Sequence, residues 1–182
     1  NVTINGDKIG TMAVEEHFSK ELLENQGRRE GVIAKFNDKR MWQAKLMGEA
    51  FIQDGWVDDN YWNAPVDPFR SSKIAKSEKL SSDLTIMVGL LRGFQNKELS
   101  ASEVFDIEQM GRFLAVSELW GVVHASGWGN LVFYLNPITM KIEPIGYDAN
   151  VSDRIPNERL SAGEIKLGDN YFSRAVLSSP EI

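Results

Sequence analysis

The chain has 182 residues, of which 42% are hydrophobic and 25% charged, an ordinary balance for a globular protein of one domain or a little more. A net charge of −6 argues against a nucleic-acid surface, which needs clustered Lys and Arg to replace phosphate counterions. No run approaches the roughly 18 apolar residues of a membrane span, and no charged start followed by an apolar stretch marks a signal peptide.

Val2-Thr3-Ile4 and the stretch 9–14 flank Asn5-Gly6-Asp7-Lys8, which reads as a hairpin because Asn-Gly tolerates the positive φ angles of a tight turn. Phe18, Leu22 and Leu23 recur at helical spacing from about Glu16 to Asn25, and Gly27 closes that helix. Gly31 to Phe36 reads as a strand with Val32, Ala34 and Phe36 on one face and Ile33 with Lys35 on the other. Residues 37–75 interleave Trp42, Phe51, Trp56, Tyr61 and Trp62 with acidic residues and suggest a linker, lid or insertion. Asp54 to Asp59 lacks the spacing and distal Glu of a calcium-binding EF-hand loop and reads as a solvated acidic loop. Leu80, Leu84, Met87, Val88, Leu91 and Phe94 form an apolar helical stripe from about Ser77, with an end anywhere up to Asn96. Ser100 and Glu103 make a capping box, and the helical period then continues to Trp120, where Gly121 stops it.

The stretch from Trp128 to Asp148 is the most telling. Asn136-Pro137 predicts a turn, because proline presets its φ and asparagine hydrogen-bonds the backbone ahead of it, and β-branched and aromatic residues fill both arms. With the turn centred near Ile138, Asn130 falls opposite Gly146 and emerges beside Asp148, within a register slip of about two residues. An amide oxygen and a carboxylate at neighbouring strand ends are hard ligands of the kind Mg²⁺ accepts, usually with waters and phosphates completing its shell. The plainer roles are a turn aspartate and a loop asparagine.

Lys35 on its short strand needs a counter-charge, which Glu15 or Glu16 would supply while the amine meets a phosphate; an edge-strand lysine reaching for solvent is the simpler alternative. Gly6 and Gly10 flank the first hairpin, but no GxGxxG spacing is present. His124 precedes Asn130 by six residues, and an imidazole can accept a proton under near-neutral conditions, so it is a candidate general base, or else a histidine that only hydrogen-bonds the scaffold. Zero cysteine excludes disulfides and thiolate chemistry in this segment, and neither HExxH nor Gly-x-Ser-x-Gly occurs. Trp120, Trp128, Phe133 and Tyr134 are expected in the core rather than around a ligand ring.

The motif residues resemble those of the spore coat protein H kinase-like family. They are Arg112-Phe113-Leu114-Ala115 with Glu118-Leu119 and Gly121, then His124, Trp128, Asn130, Tyr134, Asn136-Pro137, Glu143-Pro144-Ile145 and Tyr147-Asp148. Asn5-Gly6-Asp7, Gly10, Glu15-Glu16, Lys20 to Leu23 and Gly31 to Phe36 extend the likeness over about residues 1–150. The resemblance implies an α+β, two-lobed kinase-like fold. Residues 1–36 would belong to a small amino-terminal lobe, 37–75 to a linker or insertion, and 76–182 to a helical lobe carrying the hairpin. It further implies ATP with Mg²⁺ or Mn²⁺ as cofactors. Asn130 and Asp148 would hold the metal, Lys35 and Glu15 would stand on the phosphate side, and a protein acceptor would receive the phosphate. A cell-envelope, spore-surface or extracellular setting goes with it. Chain order departs from protein kinases, since Glu15 and Glu16 precede the lysine strand. A protein kinase also has an Asp five residues before its metal-binding Asn, whereas Ala125 stands there and no Asp or Glu lies between Gly121 and Asn130. A catalytically silent kinase-like surface or coat module is therefore the alternative, with a metal-dependent hydrolase using His124 and Asp148 as a third reading. The opening Asn1 and the helical pattern at Phe172 to Leu177 suggest a fragment.

Overall fold

The structure, a computed structural model, describes residues 1–12, 16–47, 61–149 and 171–177. The Asn-Gly signal is realised: β1 (Val2–Ile4) and β2 (Asp7–Gly10) pair antiparallel around Asn5 and Gly6, both at positive φ. The second arm ends at Gly10, at φ 107°, earlier than its apolar pattern suggested. This hairpin forms its own two-stranded sheet.

Helix α1 (Lys20–Asn25) is shorter than its spacing implied, because Ser19 starts it. Gly27 at φ 68° ends it, with the Gly27 and Arg28 amides donating to the carbonyls of Glu24 and Leu23 at 2.9 and 2.8 Å. The chain then enters β3 (Ile33–Phe36), the second strand of a four-stranded sheet ordered β4-β3-β5-β6, all antiparallel. The segment expected to be a linker supplies helix α2 (Lys39–Leu46) and the edge strand β4 (Val66–Pro68), followed by the short helix α3 (Ser71–Ile74). Pro68 lacks an amide hydrogen and therefore suits an edge. The acidic run Asp54 to Asp59 lies outside the described residues.

Helix α4 (Glu78–Gln95) is capped by Ser77, whose Oγ accepts from the Leu80 amide at 3.3 Å. Its end lies past Phe94. Lys97 adopts φ 61°, and the Glu98 amide donates back to the Gly93 carbonyl at 2.8 Å. Gly93 has a packing role rather than a capping one, since a Cβ there would sit 2.6 Å from Leu99 Cδ1.

The long helix expected from Ser100 to Trp120 is two helices, α5 (Ala101–Val104) and α6 (Ile107–Leu119). The capping box at Ser100 and Glu103 is present, but Asp106 caps a second start by accepting from the Gln109 amide at 3.0 Å. Between them Phe105 extends alongside Ile142 and buries its ring, while the Asp106 amide donates to the Ile142 carbonyl at 2.9 Å. Burial of one aromatic ring and a sheet-type hydrogen bond outweigh two residues of helix continuity.

Strands β5 (Val132–Leu135) and β6 (Ile142–Ile145) form the expected hairpin. Asn136 Oδ1 accepts from the Ile138 amide at 3.0 Å, the local bond its side chain was expected to make. Below the sheet, Val32, Ala34, Phe36, Phe133 and Leu135 pack on Met87, Leu91, Phe94, Phe105 and Leu114, with Phe172 from helix α7 (Tyr171–Leu177) inserted among the rings. Above it, Ile33, Val132 and Tyr134 meet Leu23, Phe18, Phe69 and Tyr147. The alternation read from residues 31–36 is thus obeyed, and β5 is buried on both faces. Trp128, Phe133 and Tyr134 are core residues as expected; Trp120, at the carboxyl-terminal cap of α6, is exposed instead. The fold is mixed α+β. Strands from the amino-terminal unit, from the expected linker and from the hairpin share one sheet and one core.

Candidate functional site

Three segments distant in sequence meet at the end of β3 and β5. Lys35 pairs across the sheet with Val132, and its side chain reaches past the strand end. Its ammonium Nζ donates to the Gly129 carbonyl at 3.1 Å and stands 3.7 Å from Asp38 Oδ1. The side chains of Lys35 and Asp38 are 28% and 17% exposed, so the pair is partly withdrawn from water without being sealed from it. Asp38 Oδ2 also accepts from Trp42 Nε1 at 2.9 Å. A Cβ at position 129 would lie 3.1 Å from that of Asp38, so glycine lets the two loops approach.

The second segment begins where α6 stops. Gly121 at φ 66° ends the helix with the Val122 amide on the Ser117 carbonyl at 2.8 Å, and the short 3₁₀ turn Val123–Ser126 follows. Trp128 plugs the loop into the core beside Tyr61. Asn130 Nδ2 donates to the His124 carbonyl at 3.1 Å, and its backbone amide to Gly127 at 2.9 Å.

The third segment is the end of β6. The hairpin pairs Val132 with Ile145 and Leu135 with Ile142, a register that brings Asn130 opposite Tyr147, one position short of Asp148. His124 Nε2 lies 3.0 Å from Asp148 Oδ2. Asp148 itself adopts φ 50°, a conformation aspartate visits more readily than most residues and one over-represented at functional sites. Beside it lies an open cleft of about 450 Å³ whose walls include Glu16, Phe18, Leu22, Gln26 and Tyr147.

Lys35, Asn130, His124 and Asp148 therefore lie along one chain of contacts. Gly129 holds Lys35, its neighbour Asn130 holds the His124 backbone, and the His124 ring meets Asp148. Glu15 lies outside the described residues. Glu16 accepts from Asn25 Nδ2 at 2.8 Å, and among the described residues the carboxylate beside Lys35 is Asp38. Sequence reasoning missed Asp38 and Trp42. The available signal was an Asn37-Asp38 pair opening a helix, with an acid three residues after the lysine.

Chemically, a neutral His124 that donates from Nε2 to Asp148 keeps Nδ1 as a proton acceptor, the arrangement of an oriented base. With Asn130 Nδ2 engaged, its Oδ1 is the atom turned away from that bond and is a hard oxygen donor, as is the Asp148 carboxylate. This donor chemistry fits Mg²⁺ or Mn²⁺. Among the described residues no group of three His, Cys, Asp or Glu side chains converges as a metal site, so such an ion would draw its other ligands from water and a bound phosphate. Among the described residues, too, no helix is long and apolar enough to cross a membrane. No family model, curated protein or solved structure matches the chain.

Proposed function

We propose that the chain is an atypical kinase-like domain that binds ATP with Mg²⁺ or Mn²⁺ and transfers phosphate to a protein acceptor. The observation that carries this reading is the continuous line of contacts from Lys35 through Gly129, Asn130 and His124 to Asp148. A cation, an amide oxygen, an imidazole and a carboxylate within one line of contacts are the groups phosphoryl transfer uses, because its catalysis is positioning and charge stabilisation more than covalent chemistry. In this reading Asn130 and Asp148 hold the metal, which when bound neutralises charge on the phosphates. Lys35 contacts a phosphate, and His124 takes the proton of the attacking hydroxyl. A two-lobed arrangement and an envelope or spore-surface setting belong to the same reading.

The test is a thermal shift of the folded chain with ATP, with and without Mg²⁺ or Mn²⁺, beside Asp148→Ala. Ligand at 100 times its dissociation constant stabilises by about 2.7 kcal/mol, a shift of roughly 5–10 °C at this size. A metal-dependent shift lost in the variant is expected, and no shift at millimolar ATP refutes nucleotide binding. A second reading, a silent surface module, draws on the loop 122–129, where no Asp or Glu stands and His124 is the lone titratable side chain. ATP affinity without phosphate transfer to any protein would favour it.

A further inference from the structure

We infer that Asp38 is the positioning residue that aims Lys35 at a bound phosphate, an assignment that rests on the nucleotide reading and deepens it. A lysine ammonium has three N–H donors around a tetrahedral nitrogen. One is given to the Gly129 carbonyl at 3.1 Å, while the Asp38 carboxylate, 3.7 Å away on the other loop, attracts the ammonium as an ion pair. A hydrogen bond to one loop and an ion pair with the other hold the ammonium at the strand end, with N–H donors left for a phosphate oxygen.

Asp38 is itself held from three sides. It opens α2, with its carbonyl accepting from the Trp42 amide at 3.1 Å. Its Oδ2 is fixed by the Trp42 indole, and its Cβ lies against Gly129. A carboxylate already anchored by an indole loses little further freedom when it pairs with lysine, and therefore positions that lysine better than a mobile surface acid. The order is compact, with cation and anion three residues apart across the end of one strand.

Trp42 makes the arrangement observable, since its indole N–H shares the carboxylate with Lys35. In the spectrum of ¹⁵N-tryptophan-labelled protein, with Trp42→Phe assigning the signal, Lys35→Met is expected to move the Trp42 indole resonance without any ligand. MgATP is expected to move it in the wild type. Asp38→Asn keeps a side-chain oxygen for the Trp42 indole and removes the charge; it should weaken MgATP binding roughly threefold, the scale of a partly exposed ion pair, and Asp38→Glu should recover most of that loss. An indole signal unmoved by Lys35→Met overturns the pairing, and equal MgATP affinity in wild type and Asp38→Asn overturns the positioning role. If MgATP moves no signal in the wild type while Lys35→Met still moves the indole, the nucleotide reading falls and the phosphate-aiming role with it, and the ion pair alone survives.

Discussion

Gly31 joins α1 to β3 where the chain crosses the hairpin, and replacing it with alanine tests how tightly the two are packed. A Cβ there would sit 2.5 Å from the Leu135 carbonyl, 2.8 Å from Tyr134 Cε2 and 3.2 Å from Pro137 Cδ. The backbone carbonyl cannot rotate away, and the Tyr134 ring is pinned by its hydroxyl, which donates to the Arg29 carbonyl at 2.8 Å. Relief must come from separating the chain from β5, which strains the bond from the Leu135 amide to the Val32 carbonyl, 2.9 Å long. Overpacking of this kind costs about 1–3 kcal/mol and a weakened hydrogen bond about 1 more. Gly31→Ala should therefore destabilise by about 3 kcal/mol, lowering Tm by roughly 6–12 °C for a chain of this size. Gly31 does not have a positive φ, so the penalty is steric rather than conformational. The control is Gly89→Ala inside α4, where nothing lies within 4 Å of the new Cβ; helix propensity predicts a gain of about 0.5–1 kcal/mol. Thermal unfolding followed by circular dichroism reads both. A Gly31→Ala variant as stable as the wild type would refute the close approach.

Two further outcomes follow from local physics. Lys97 occupies the left-handed position after α4 at φ 61°, so Lys97→Gly should raise the unfolding free energy by about 0.5–1 kcal/mol, read as a higher urea midpoint at unchanged slope, the relief of strain exceeding the entropy that glycine adds to the unfolded chain. Burial pushes the Tyr134 phenol above its ordinary value of 10.0, with the Arg28 guanidinium opposing it more weakly. A raised pKa contributes stability that is full below about pH 10 and is lost as the pH climbs through the folded value. Tyr134→Phe should thus be about 1 kcal/mol less stable at pH 7, for want of the bond to Arg29, and the gap should narrow in denaturant titrations above about pH 10.

Much of this fold was legible in the order of residues alone, because it depends on interactions only a few positions apart. Asn5-Gly6, the Ser100 and Glu103 box, Gly27 and Gly121 at helix ends, and the Asn136-Pro137 turn act within a turn's reach of themselves. The alternation of residues 31–36 likewise needs only the two-residue period of a strand. The hairpin register followed from its turn, and it set Asn130 within a slip of the position opposite Asp148.

What sequence could not decide was which distant surfaces meet. The strand hidden at Val66–Pro68 has three residues and a proline, too short for a period to show, and it exists because β3 offers it an edge. The break between α5 and α6 depends on Ile142 standing ready to receive Phe105 and Asp106. Asp38 was not singled out as a partner of Lys35, and it stands beside that lysine because the Gly129 loop and α2 close on the same strand end. Local sequence fixes turns and caps because their energies are local; partners across the sheet are chosen by the shared burial of a core that the whole chain must build at once.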